Sequence, residues 1–363
     1  MQNSTGTISR ETAPAVNSWD EFTQLKEVIV GDVTHARLPA MTDISAWLAC
    51  YPSLTKAELE NVAVGAFPRQ VIEETTEDLA TLVATLTTLG VRVRQPVAPD
   101  HAKQFTSPDW TSEGYLSYCP RDITLVVGST IIETPSPMRA RYFENHGLHR
   151  LFQEYLLRGA NWISAPKPRL ADDLFSISPE GLPVLGETEP AFDAANVLRI
   201  GKDIIYQVSG SGNELGLRWL ESMLGMIGDF RVHPLHGVYP YTHIDTTITL
   251  LRPGLVLLNP ARLTSDTVPQ PFQKWDVLWS PQIRDIPTVV RYPLSAPWLG
   301  MNLLMVNPEV AIVDSDQVEL IAALEQRHIT VLPHRLRHSR VLGGGFHCVT
   351  LDVVRDGELV DYA

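Results

Sequence analysis

An apolar run, a tight turn and a second apolar run recur at five separated places in this chain, and that recurrence limits the folds open to it more than any other feature. The first copy spans Ile123 to Thr134 with Gly128-Ser129 at its turn. Val197 to Ser209 repeats it around Gly201-Lys202-Asp203, Thr246 to Leu258 around Arg252-Pro253-Gly254, and Leu303 to Asp314 around Asn307-Pro308-Glu309. A fifth copy, Val349 to Val360, turns at Asp356-Gly357. Turn residues between β-prone runs are the sequence sign of a hairpin. Several copies lead into a helical pattern and a further strand: Met138 to Leu157 before Trp162-Ile163-Ser164, Asn213 to Leu224 before Phe230-Arg231-Val232, and Asp316 to Gln326 before Ile329-Thr330-Val331.

The last copy lacks such a continuation, and the N-terminal part supplies one. It holds a strand over Leu25 to Val30, a helix over Gln70 to Leu89 and a strand at Val91-Arg92-Val93. In that helix Val71, Ile72, Thr75, Leu79, Leu82, Val83 and Leu86 follow the i,i+3/i+4 spacing of a core-facing stripe. Five units of strand, strand, helix and strand, the last closed by joining the chain ends, predict a radial, pseudo-symmetric α/β array without free sheet edges. Residues 21–363 read as one closed domain and residues 1–20 as a flexible, polar tail.

Composition excludes several function classes. The formal charge of −13 argues against a nucleic-acid surface and favours encounter with cationic small molecules. No stretch approaches the ~18 uninterrupted apolar residues of a membrane helix, and the first twenty positions lack the apolar run of a signal peptide. A cytoplasmic protein with no membrane partner is the expectation. Cys50, Cys119 and Cys348 are odd in number and widely spaced, so no disulfide framework is expected and one thiol is open to chemistry. His146 with His149, and His233 with His236, lack a carboxylate or Cys at metal-ligand spacing and read as helix-surface and loop residues. Gly210-Ser211-Gly212-Asn213-Glu214-Leu215-Gly216 has the wrong spacing for a dinucleotide loop and reads as a helix N-terminal cap.

In a repeat of this kind the positions just before each unit's first strand are equivalent and converge near the axis. Asp122 stands there in the first unit, Asp193 in the second, His243 and Asp245 in the third, Ser295 to Asn302 in the fourth and Cys348 in the fifth. Cys348 follows Gly343-Gly344-Gly345-Phe346-His347, where glycines permit close approach and positive φ, a way to present a nucleophile. The alternative is a small buried hydrophobe. A reactive thiol needs a cation, a helix N-terminus or a base nearby. His243 with Asp193 would supply a proton carrier and its orienting carboxylate; alone, His243 reads sooner as a satisfied core histidine. Asp122 and Asp245 read either as strand-start caps or as paired carboxylates beside the cysteine, and the latter suits a planar guanidinium.

The blocks Pro120-Arg121-Asp122, Ala165-Pro166-Lys167-Pro168, Phe192-Asp193-Ala194-Ala195, His243-Ile244-Asp245, Leu258-Asn259-Pro260, Met301-Asn302 and Gly343-Gly344-Gly345-Phe346-His347-Cys348 occur in an order that resembles the arginine:amine amidinotransferases. The resemblance runs over nearly the whole chain after the tail. It implies a five-bladed, pseudo-symmetric α/β propeller of the pentein type. It also implies roles: Cys348 as nucleophile, His243 as general acid/base and Asp193 as its partner. Asp122 and Asp245 match the carboxylates that hold the guanidinium, and Arg262 matches a cation for the substrate carboxylate. Ser295 and Asn302 fall in substrate-contacting stretches, while Ala296 departs from the serine pair of the glycine-specific branch.

The mechanism implied is ping-pong transfer of the amidino group of L-arginine through an amidino-cysteine to a primary amine, with release of ornithine and no metal or organic cofactor. Blocks such as Gly212-Asn213-Glu214-Leu215-Gly216 look closer to the secondary-metabolism branch, with lysine preferred as acceptor because its α-amino acid head group could occupy the site arginine's vacates, and an aminocyclitol phosphate as the other candidate. A homodimer is expected by analogy. The rivals are a guanidine hydrolase of the arginine deiminase or dimethylarginine hydrolase type, and a non-catalytic guanidine-binding protein.

Overall fold

The computed structural model describes residues 14–49, 54–179, 181, 183–286, 288 and 294–363. Residues 1–13 of the expected tail, and Cys50, lie outside that set. The rest of the expected tail is no tail. Asn17 donates from its backbone to Val353, Ser18 exchanges backbone hydrogen bonds with Gly128, and Val16, Ser18 and Asp20 are buried. Alternation of these residues lets the segment lie against two sheets, so residues 15–20 belong to the folded domain.

Near the N-terminus lie strand β1 (Leu25–Val30), helix α1 (Arg69–Thr88) and strand β2 (Arg92–Arg94). Four repeats follow. The first has β3 (Thr124–Val127), β4 (Thr130–Glu133), α2 (His149–Leu157) and β5 (Asn161–Ser164). The second has β6 (Val197–Ile200), β7 (Asp203–Gln207), α3 (Glu214–Ile227) and β8 (Arg231–Leu235). The third has β9 (Ile248–Arg252), β10 (Leu255–Leu258) and β11 (Asp276–Trp279). The fourth has β12 (Leu304–Asn307), β13 (Val310–Asp314), α4 (Val318–Glu325) and β14 (Thr330–His334), and β15 (Thr350–Arg355) closes the chain. Each repeat forms its own three-stranded sheet, in which the middle strand pairs antiparallel with the first and parallel with the third.

The fifth sheet has the order β15-β1-β2 with the same pairing directions, Leu25 lying opposite Arg355 and Glu27 beside Arg92. The hairpin expected at Asp356-Gly357 does not form, because β1 occupies the edge of β15 that a returning strand would need. The C-terminal residues instead run to the second repeat, where Lys202 donates from its backbone to Val360. Two further expectations are corrected. The third repeat carries short 3-10 turns, Ser265–Thr267 and Gln270–Phe272, in place of a helix. The helix expected over Met138 to Leu157 begins only at His149. Before it, Arg139, Arg141, Glu144 and Asn145 are buried, and Asn145 bonds Thr124 and the Ile123 carbonyl. Those inward polar demands break the helical path into 3-10 turns.

Local sequence explains the elements. The first strands are buried on both faces, as continuous runs such as Thr124-Leu125-Val126-Val127 require. In α1 the buried stripe is Val71, Thr75, Leu79, Leu82 and Leu86, with Ile72 and Val83 packed at its margin. Helix α3 is capped by Asn213, whose side chain accepts from the Gly216 N–H, the capping expected there. Among the described residues no helix is long and apolar enough to cross a membrane.

Charged residues fill the space where the first strands meet. Arg199 in β6 donates to Glu21 at 3.0 Å, to Asp352 in β15 at 2.8 Å and to the Val126 carbonyl in β3 at 2.8 Å. Arg121 donates to Glu21, to Asp352 and to the carbonyls of His347 and Thr350. Arg355 donates to Asp352 and to the Met305 carbonyl in β12. Removing one partner from such a cluster leaves buried charge uncompensated. Asp352→Asn is therefore expected to lower unfolding stability by about 3–5 kcal/mol, read from denaturant midpoints; a loss within the surface-mutation range of about 0.5 kcal/mol would remove the cluster from its structural role.

Candidate active site

The loops that enter the first strands open onto one pocket. Its lining includes Asp122, Asp193, His243, Asp245, Ser295 and Cys348, together with Cys119, Arg141, Tyr239 and Thr242. Six of the eight residues singled out from the sequence therefore meet there. Asn302 reaches the same point from behind: its Nδ2 donates to Cys348 Sγ at 3.0 Å and to Asp245 Oδ2 at 2.7 Å. Arg262 does not line the pocket. Its guanidinium stacks 3.4 Å from the Tyr239 ring centroid and donates to the hydroxyls of Thr246 and Thr247. Ser295 turns its hydroxyl to the Arg340 carbonyl at 3.2 Å.

Backbone shape places the thiol. Gly343 ends a short helix at φ +81°, a conformation that suits glycine. A side chain on Gly344 would collide with Cys119 Sγ and Cys348 Cβ. The thiol of Cys348 donates to Asp245 Oδ2 at 3.0 Å, and its backbone N–H donates to Asn302 Oδ1. His243 sits at φ +58°, a strained setting for a non-glycine residue. Its backbone is pinned by Ser211 and Gln207, and its Nε2 lies 3.0 Å from Asp193 Oδ2. Its Nδ1 is 3.9 Å from Asp122 Oδ1, beyond hydrogen-bond range.

Electrostatics divide the groups. Burial works against a charged His243, but Asp122, the hydrogen bond with Asp193 and Asp245 outweigh it and lift the imidazole to about 9. Burial likewise opposes ionisation of Asp245, and the hydrogen bond from His347 reverses this, bringing the carboxyl down to about 2. For Asp122 burial wins over His243 and Arg141, so its carboxyl is pushed up. The Cys348 thiol is pushed well up by its contact with Cys119, by burial and by Asp245. Burial raises Cys119 to about 11. At neutral pH the site thus combines an imidazolium with a neutral thiol. Two buried carboxylate oxygens, Asp122 Oδ1 and Asp193 Oδ1, have no hydrogen-bond donor. Unmet acceptors of this kind are costly and suit a cationic ligand with several N–H groups.

Sequence reasoning passed over four residues. Arg141, expected in a helix, donates to Asp122 Oδ2 at 2.8 Å and is clasped by Glu144. Cys119 stands one residue before a quoted block. His347 lies inside one and was given no role, and Glu21 sat at the expected tail boundary. Only the proximity of Cys119 and His347 to quoted motifs was a signal. Among the described residues no cluster of three or more His, Cys, Asp or Glu could hold a metal ion.

No protein-family model matches the chain. It is 46% identical over 346 residues to inosamine-phosphate amidinotransferase 1 of Streptomyces glaucescens, covering 95% of this chain and 97% of that protein. It is 34% identical over 361 residues to the L-arginine:L-lysine amidinotransferase of Pseudomonas savastanoi pv. phaseolicola, covering 97% of each. Among solved structures, the inosamine-phosphate amidinotransferase of Streptomyces griseus superposes with a TM-score of 0.90 at 46% identity, over 96% of this chain and 99% of that one. A dimethylarginine dimethylaminohydrolase matches with a TM-score of 0.58 at 14% identity, over 90% and 99%, a likeness of fold alone.

The charge on His243 has a measurable sign. Its folded value, about 9, lies above the ordinary histidine value of 6.5, so the stability it contributes is complete below that ordinary value and is lost as pH rises through the folded one. Denaturation midpoints of the protein are expected to fall across this interval, and those of His243→Asn to fall less. Parallel curves for the two proteins would show that the imidazole is neutral in the folded state.

Proposed function

The chain belongs to the arginine:amine amidinotransferase family, and from that premise we propose that Cys348 carries the amidino group between L-arginine and an amine. The carrying observation is the pair of donorless oxygens, Asp122 Oδ1 and Asp193 Oδ1, in the pocket that also holds the thiol. A guanidinium offers the N–H groups they lack. Asp245, ionised and beside the sulfur, gives the cation a third anionic neighbour. Arrival of a cation next to the neutral thiol lowers the cost of its thiolate.

Cys348 Sγ then bonds to the guanidinium carbon, and the bond from that carbon to the δ-nitrogen of the ornithine portion breaks. The imidazolium of His243 gives its proton to the departing nitrogen and is recharged by the proton the thiol has lost. Ornithine leaves an amidino-thioether. An incoming amine attacks the same carbon, passes its proton through His243 to the sulfur, and departs as the guanidino product. Asp193 orients the imidazole throughout, and the strained backbone at residue 243 holds it toward the pocket. Leu48, Leu116, Met138, Leu294, Leu299 and Leu342 in the lining support exclusion of water, which would hydrolyse the intermediate.

Arg262 is assigned to the substrate carboxylate through its place beside Tyr239 at the pocket wall, Ser295 to substrate contact from the lining, and Asn302 to holding the thiol and Asp245 from behind. An aminocyclitol phosphate is the favoured acceptor, ahead of lysine, on the strength of 46% against 34% identity to the respective enzymes. The five like sheets support a radial propeller within one domain.

Incubation with arginine and single acceptors, read by mass spectrometry, is expected to give ornithine with the amidinated aminocyclitol phosphate. Turnover of lysine alone would reverse the acceptor assignment, and citrulline as main product would make the protein a hydrolase. Cys348→Ser is expected to lose activity by at least about a thousandfold, with no mass adduct on arginine addition; retained turnover would remove the covalent step.

A further inference from the structure

We propose that His347 is a permanent imidazolium that clamps Asp245 behind the Cys348 thiol, a positioning residue for the transfer site. The proposal rests on the roles given above to Cys348 and Asp245. Both ring nitrogens of His347 face carboxylate oxygens: Nε2 lies 2.6 Å from Glu21 Oε2 and Nδ1 lies 3.3 Å from Asp245 Oδ2. A neutral imidazole has a single N–H and would set a lone pair against one of those oxygens. Neither carboxylate has a hydrogen to offer in return. Glu21 already accepts from Arg121 and Arg199, and Asp245 Oδ2 already accepts from Asn302 and the thiol.

The surroundings favour the cation. The side chain is 12% exposed. It is faced by Glu21 from the N-terminal segment, by Asp245 from the loop before β9, and by Arg121 from the short helical turn Pro120–Ile123 before β3. Arg121 opposes its charge but is neutralised by Glu21 and Asp352. Charges therefore alternate from Arg199 and Arg121 through Glu21, His347 and Asp245 to the thiol. Without the imidazolium, Asp245 would share a buried pocket with Asp122 and Asp193, and like charges favour protonation. A protonated Asp245 would lose its grip on a guanidinium, and its hydroxyl would compete for the sulfur.

In protein labelled with 15N-histidine, the His347 ring, assigned through its backbone, is expected to show two protonated nitrogens from about pH 6 to about pH 8, where an ordinary histidine titrates. A neutral tautomer in that range overturns the proposal, and this readout needs no turnover. His347→Asn keeps one donor without the charge. It is expected to raise KM for arginine about tenfold with a smaller change in kcat, and to move the acid limb of kcat/KM upward by about one pH unit, the scale of losing an adjacent opposite charge. An acid limb that stays in place in the folded variant overturns the proposal, whatever happens to KM. Should the unaltered protein fail to transfer from arginine to any amine, the functional reading fails, and the nitrogen spectrum still decides the state of His347.

Discussion

The structure depends on one cluster of buried opposite charges, Glu21, Arg121, Arg199, Asp352 and Arg355, placed where the first strands converge. An apolar centre would tolerate many relative positions of the sheets. Charges taken out of water tolerate few, because every donor and acceptor must be met at once. Arg199 alone fixes β6 against β3 and β15 through Val126, Asp352 and Ser18. The same cluster holds the carbonyls of His347 and Thr350 on either side of Cys348 and Val349, so the support of the fold and the placement of the thiol are one set of bonds.

That shared support sets the chemistry. In the pocket Asp122 is paired with Arg141 and Asp193 with His243, while Asp245 meets His347 behind it, and a neutral thiol rests among them. On the proposed reading, pairing at rest lets a guanidinium change the local field on arrival. A permanently formed thiolate would be open to any small electrophile, whereas a thiol activated by its own substrate is spared.

The repeat was legible in the sequence because turns such as Gly128-Ser129 and Gly201-Lys202-Asp203 are local, and their strands pair with their neighbours. The equivalent strand entrances followed from it, and the pocket holds Asp122, Asp193, His243, Asp245, Ser295 and Cys348 together. What stayed hidden was set by distant partners. Glu21 is explained only by Arg121, Arg199 and His347, and the break before α2 only by Asp122 and Thr124 reaching Arg141 and Asn145. The false hairpin at Asp356-Gly357 has the same origin: its turn residues are real, but a strand from the far end of the chain claims the edge first.

That pairing of β15 with β1 bears on how the molecule comes into being. During synthesis β1 emerges early, and its partner edge stays bare until Arg355 has been made. Long-range pairing of this kind folds slowly and leaves unsatisfied backbone exposed to other chains. Cys348 lies only two residues before β15. A chain that ends short of residue 348 lacks the thiol and, with it, Asp352 and Arg355, so Cys348 and the last members of the charge cluster that supports it are made together.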